Sequence, residues 1–253
     1  MQQHLLKPFG LEIRATSSQA DLNTIEVDEL KQAIATHRLC VLRGFRELQP
    51  QEILTFCKRM GTIRQRQSGE IVDLKIQHET KSFLYTSGEV PFHWDGAFAA
   101  SAPHYIFLYC LEAPESEPGG ETIFCDAALI VANAPEEVLN QWKQITITYT
   151  PDGPDSFRSP LIAEHPFSGM PVLRYAEPIY GLNAMSVNIP GLPNDQTETF
   201  LSKVHSLLHN QAFWYVHFWL KGDILIADNH ALLHARRAFR PESSRHLAKV
   251  NIL

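Results

Sequence analysis

His93 and Asp95 stand two residues apart in Val90-Pro91-Phe92-His93-Trp94-Asp95-Gly96. On an extended backbone, side chains at i and i+2 share a face, so this imidazole and carboxylate can grip one ion while Trp94 packs the other way. Two histidines and one carboxylate around a single metal, with positions left open, is the ligand set of non-haem Fe(II) oxygenases. Such a centre needs a second histidine, brought in by folding. The stretch from Asp223 to Arg236 offers two, reading as strand, Asp-Asn turn and strand, with His230 at the turn and His234 beyond it. Either can ligate on its chemistry. His234 alternates in phase with Leu232 and should face the core, where an imidazole needs a partner, and this favours it.

Oxygen activation at such a centre also needs electrons. A 2-oxo acid can supply them if it chelates the open positions and a cation pins its far carboxylate. Arginine suits that task because its planar fork pairs both carboxylate oxygens. Arg245, just before the last strand, is the candidate, and Thr122, which follows Gly119-Gly120-Glu121, can add a hydroxyl to the same carboxylate.

The elements that must position these residues are mostly strands. Leu39 to Leu42, His104 to Cys110, Glu121 to Phe124, Ile145 to Tyr149, Pro171 to Tyr175, Phe213 to Leu220, Asp223 to Ala227, Ala231 to Ala235 and Ala248 to Leu253 are short apolar or β-branched runs. Helices are expected from Pro50 to Met60, over Asp126 to Asn133 and Pro135 to Lys143, and over Asp195 to His209. The polar segment from Arg64 to Gly88 lies just upstream of His93 and is a candidate mobile cover. Many short strands with helices among them predict a mainly β fold with flanking helices, a jelly-roll sandwich or barrel, in one domain over residues 1–253.

Bulk composition narrows the class further. The 253 residues are 44% hydrophobic and 20% charged, with a net charge of -6. This is an ordinary globular balance that argues against a nucleic-acid or anionic-membrane surface. Cys40, Cys57, Cys110 and Cys125 show no paired spacing and sit among apolar residues, as buried thiols in a reducing compartment do. No signal peptide is expected at the N-terminus, and the longest apolar stretch, Ala212 to Leu220, is far short of the ~20 residues a membrane helix needs. A cytoplasmic location is expected, with an oligomer allowed.

Taken together, these residues resemble the TauD/TfdA family of Fe(II)/2-oxoglutarate oxygenases, from about Leu39 to the C-terminus. The likeness lies in Val41-Leu42-Arg43-Gly44-Phe45, the His93-Trp94-Asp95 pair, Pro118-Gly119-Gly120-Glu121-Thr122, and His234 followed by Arg245. It implies a double-stranded β-helix core, Fe(II) on His93, Asp95 and His234, 2-oxoglutarate on Thr122 and Arg245, and O2 as the oxidant. Pro171 to Pro178, Ile226 to Asn229 and Arg245-His246-Leu247 are similar to the isonitrile-processing branch of the family, the tyrosine-derived paerucumarin and rhabduscin members above all. That branch desaturates an aromatic isocyano acid, with or without loss of its carboxylate. A hydroxylase of another small acid, such as a sulfonate or amino acid, is the alternative, and a non-catalytic jelly-roll binding module a more distant one. An anionic substrate needs its own cation. Lys249, one strand period beyond Arg245, is the first candidate and Arg174 the second, unless it pairs with Glu177. Phe92 and Phe98 flank the ligands and are candidates to touch an aryl ring.

Overall fold

Alternating apolar residues commit most of the strands to two sheets that share an interior. The computed structural model describes residues 1–67, 69–99, 101–114, 119–151 and 156–253. Its larger sheet has seven strands, in spatial order Gln2–Leu5, Leu11–Arg14, Leu39–Arg43, Ile224–Asp228, Tyr105–Glu112, His246–Ile252 and Val72–Leu74. A smaller sheet runs Trp214–His217, Thr122–Asp126, Leu232–Arg236, Val90–His93. Short strands between Thr146 and Asn188 build two satellite sheets outside it.

Because strand side chains alternate between faces, each of the four central strands of the larger sheet, from Leu39–Arg43 to His246–Ile252, feeds two cores. Cys40, Leu42, Phe107, Tyr109, Ile224, Ile226, Ala248 and Val250 face outward and pack with the helices Val27–His37 and Pro50–Met60. Leu39, Val41, Ile106, Leu108, Leu225, Ala227 and Leu247 face inward, where they meet Phe124 and Leu232 of the smaller sheet. The outer face of the smaller sheet (Phe92, Ile123, Cys125, Leu233, Ala235) packs with the satellite strands and the helix Asn194–Leu208. This is the jelly-roll core that the strand pattern predicts.

Parity assigns the chemistry to the interior. Thr122 is in phase with Phe124, His234 with Leu232, Lys249 with Leu247, and His93 is out of phase with Phe92. All four therefore point between the sheets. The expected helix over Pro50–Met60 has its predicted start and stop, and Asp126 caps the next helix by accepting from the Ala128 and Leu129 amides. The N-terminal hairpin and the helix Val27–His37 were not expected. Cys40, Cys57, Cys110 and Cys125 are buried free thiols. No helix among the described residues is long and apolar enough to cross a membrane.

Candidate active site

His93 ends its strand directly opposite His234, with which it is paired in register. Their rings lie 4.2 Å apart between centroids. Asp95 has already left the strand, so its position depends on a brace rather than on the strand's period. Asn229, fully buried, accepts from the Asp95 amide at 2.8 Å and donates to the Asp95 carbonyl at 3.0 Å and the Pro103 carbonyl at 2.9 Å. Gly96 then turns the chain with φ +86°, where a Cβ would stand 2.7 Å from the Ser101 carbonyl oxygen. Only glycine fits there.

One oxygen of Asp95 faces both histidines: Oδ1 is 3.8 Å from His93 Nε2 and 3.6 Å from His234 Nε2. The ligand atoms of the three residues all lie within 4.8 Å of one another. His93 Nδ1 sits 2.8 Å from the Pro91 carbonyl, which fixes its proton on Nδ1 and leaves Nε2 as a bare donor for a metal. Burial holds both imidazoles below their usual pKa, hence neutral. Burial alone would raise Asp95, but the Lys249 ammonium beside it overrides this and keeps the carboxylate ionised. Lys249 Nζ is 2.5 Å from the other oxygen, Asp95 Oδ2. The donor set therefore fits a divalent metal held by two neutral imidazoles and one carboxylate oxygen.

A cavity opens beside these ligands, lined by Leu74, Leu84, Val90, Ile106, Leu108 and Leu247 and by the polar Thr122, Arg236, Arg245 and Lys249. Arg245 is 3% exposed and donates from Nε to the Gly120 carbonyl at 2.7 Å, while its Nη1 is buried with no partner among the described residues. Gly120 makes that approach possible, since a Cβ there would lie 2.7 Å from Arg245 Cδ. Burial, with repulsion from Arg236, pulls the Arg245 pKa down to about 9. Guanidinium groups stay protonated in proteins, so this marks a desolvated cation that an anion would satisfy. Thr122 stands across from Arg236 in the ladder, and its hydroxyl accepts from Trp219 Nε1 at 3.0 Å. Arg245 and Thr122 thus put a buried cation and a hydroxyl on the wall of one cavity.

Other candidate residues lie elsewhere. Arg174 neither lines the cavity nor pairs with Glu177. Its guanidinium donates to the Asn229 carbonyl at 2.8 Å and to His230, and lies 4.8 Å over the Trp94 ring, because the turn at 229–230 needs a buried donor. Phe98 packs on Tyr149 and Phe157, and Phe92 faces the outer core, so neither ring reaches the cavity. Pro118 lies outside the described residues. Three residues went unnoticed in the sequence: Asn229 as the brace, Trp219 on Thr122, and Arg236. The last donates to the carbonyls of Leu84, Thr86 and Gly88 at 2.9, 2.8 and 2.6 Å, tying the end of the segment from Arg64 to Gly88 to the ligand strand. An Asp-Asn pair reading as a plain turn gave no signal that Asn229 serves a ligand.

Residues 2–250 match the family model "Taurine catabolism dioxygenase TauD, TfdA family". The chain is 38% identical to 3-((Z)-2-isocyanoethenyl)-1H-indole synthase of Fischerella ambigua, over 98% of this chain and 94% of that protein. It is 29% identical to the tyrosine isonitrile desaturase of Pseudomonas aeruginosa, over 96% and 87%. A solved structure of PvcB, described as an Fe, alpha-ketoglutarate dependent oxygenase from an isonitrile synthetic pathway, superposes with a TM-score of 0.81. The identity is 26%, over 96% of this chain and 86% of that one.

Proposed function

This chain belongs to the TauD, TfdA dioxygenase family and is an iron- and 2-oxoglutarate-dependent oxygenase, and we propose that it desaturates an aromatic isocyano acid to a vinyl isonitrile. The observation that carries the site is the meeting of His93, Asp95 and His234 on a cavity where the buried Nη1 of Arg245 has no partner among the described residues. The substrate class rests on relatives named for isonitrile chemistry along nearly the whole chain. The tyrosine-derived acid is the expectation from the motifs; the higher identity to the indole synthase makes the tryptophan-derived acid the first candidate.

When bound, iron with 2-oxoglutarate and O2 supplies a two-electron oxidant, releasing succinate and CO2. The protein's part is placement. His93, Asp95 and His234 hold the metal, and Arg245 with Thr122 holds the far carboxylate of 2-oxoglutarate. Lys249, buried on the cavity wall, holds the substrate carboxylate while keeping Asp95 ionised. Leu74, Leu84, Val90 and Leu108 exclude water and receive the aryl ring. The substrate would give up one hydrogen and two electrons in all to that oxidant, the benzylic carbon losing the hydrogen and the neighbouring carbon its carboxylate as CO2, whose bonding pair would become the double bond.

The test is to offer both isocyano acids with Fe(II), 2-oxoglutarate and O2 and to read product masses. An alkene lacking the elements of CO2 and two hydrogens, made faster from the indole acid, is expected. A product one oxygen heavier would replace desaturation by hydroxylation.

A further inference from the structure

A second set of metal-binding side chains converges on the outer side of the strand that carries His93. His205 and His209 stand one turn apart at the end of the helix Asn194–Leu208 and so share a face. Both reach the same oxygen of Glu177: His205 Nδ1 is 2.6 Å and His209 Nε2 2.9 Å from Oε1. Their rings stack with centroids 4.0 Å apart. Glu177 itself is 5% exposed, an unusual place for a carboxylate. Its other oxygen accepts from the Phe92 amide at 2.9 Å, and its own amide donates to the Phe92 carbonyl at 2.8 Å. The two imidazoles open onto a surface pocket that Glu89 and Tyr180 also line.

We propose that Glu177, His205 and His209 form a second site for a divalent transition metal, of the zinc class, separate from the His93–Asp95–His234 centre. The three ligand atoms lie within 4.8 Å of one another, and the remaining coordination positions face solvent. Two imidazoles and a carboxylate are a zinc ligand set, whereas magnesium and calcium prefer oxygen alone. Tetrahedral bonds of about 2.0–2.1 Å put ligand atoms roughly 3.3 Å apart, so each nitrogen has to draw back from Oε1 by roughly half an ångström. The His205 side chain is 59% exposed and free to do so. The bond to the Phe92 amide holds Oε2 in place and leaves Oε1 for the ion.

The site reaches the primary one through the backbone. Glu177 is bonded to both sides of Phe92, whose ring lies edge-on to His209 with centroids 5.4 Å apart. Phe92 directly precedes His93. An ion on Glu177 would stiffen the strand that presents the first iron ligand.

The test counts metal. The full chain, stripped with chelator, is equilibrated with zinc(II), freed of loose ion by gel filtration, and its zinc measured by atomic emission. Two zinc ions per chain are expected in the wild type and one in His205→Ala and in His209→Gln. The affinity for the second equivalent should fall by more than about tenfold in each variant. Removing the exposed His205 ring leaves the core untouched, and circular dichroism checks the fold. One zinc per wild-type chain would overturn the proposal, reducing the two imidazoles to hydrogen-bond donors for Glu177. Two zinc ions retained in either variant would overturn it as well, by placing the second ion elsewhere.

Discussion

Arg245 joins three properties rarely found together in one side chain: full charge, burial, and a donor nitrogen with no acceptor among the described residues. Replacing it by Leu should raise the apparent 2-oxoglutarate constant roughly 100-fold or more, the ~2–5 kcal/mol of losing one partner of a buried charge pair. Arg245→Lys should recover little of this, because a point charge cannot bond Gly120 and fork toward an acid at once. Iron binding should be spared in both. Lys249 has the opposite signature. Lys249→Ala should raise the apparent constant for the isocyano acid far more than that for 2-oxoglutarate, and equal rises would remove it as the substrate's anchor. At this scale the ligand types and Arg245 were legible in the sequence. The contact between Lys249 and Asp95 was not, since two residues so far apart in sequence meet only once the sheets close.

The strands explain why some expectations came out and others did not. A period of two is enough to aim His234, Thr122 and Lys249 between the sheets, so parity alone located most of the cavity's polar wall. Parity says nothing about Asp95 beyond the strand end or Asn229 in its turn, and although it aims Arg236 inward with His234 it does not reveal the loop carbonyls that Arg236 clamps. Phe98 and Arg174 misled for the same reason: closeness to the ligands in sequence, or on a neighbouring segment, did not fix the side they face. The brace makes a prediction. Asn229→Ala leaves the Asp95 and Pro103 backbone groups without partners and should cost about 1–3 kcal/mol of stability for a buried group so stranded. It should also weaken iron binding, measured by competition with a chelator. Arg236→Gln should free the loop at Leu84 to Gly88 from its clamp. Faster amide exchange of those residues and more succinate formed without product are expected; unchanged exchange would show that the loop is held by other means.

Across the whole molecule, the two sheets share one apolar interior whose polar end is the active site. A charged knot sits next to that site, for His217 stands across from Thr122 in the ladder. Arg43 pairs bidentately with Asp223 at 2.9 and 2.8 Å and with Glu12 at 3.0 Å, and His217 lies 3.1 Å from Asp223. Burial would raise the Asp223 pKa, but His217 and Arg43 outweigh it and hold it below the usual carboxylate value. A carboxyl depressed in the folded state adds stability that is complete above its unfolded pKa near 4 and is lost as pH falls through the folded value. Acid unfolding should therefore set in below about pH 4. Asp223→Asn should lower stability at neutral pH by about 2 kcal/mol, by leaving the part-buried Arg43 guanidinium and the buried His217 ring short of an acceptor. In the proposed reaction 2-oxoglutarate and an isocyano acid meet at one iron and leave as succinate and an alkene. The most direct measurement is an oxygen pulse to the anaerobic complex of enzyme, Fe(II), 2-oxoglutarate and the tryptophan-derived isocyano acid, with succinate and product counted together. One succinate per vinyl isonitrile is the predicted result, and succinate formation that ignores the isocyano acid, or a product carrying an added oxygen, would contradict it.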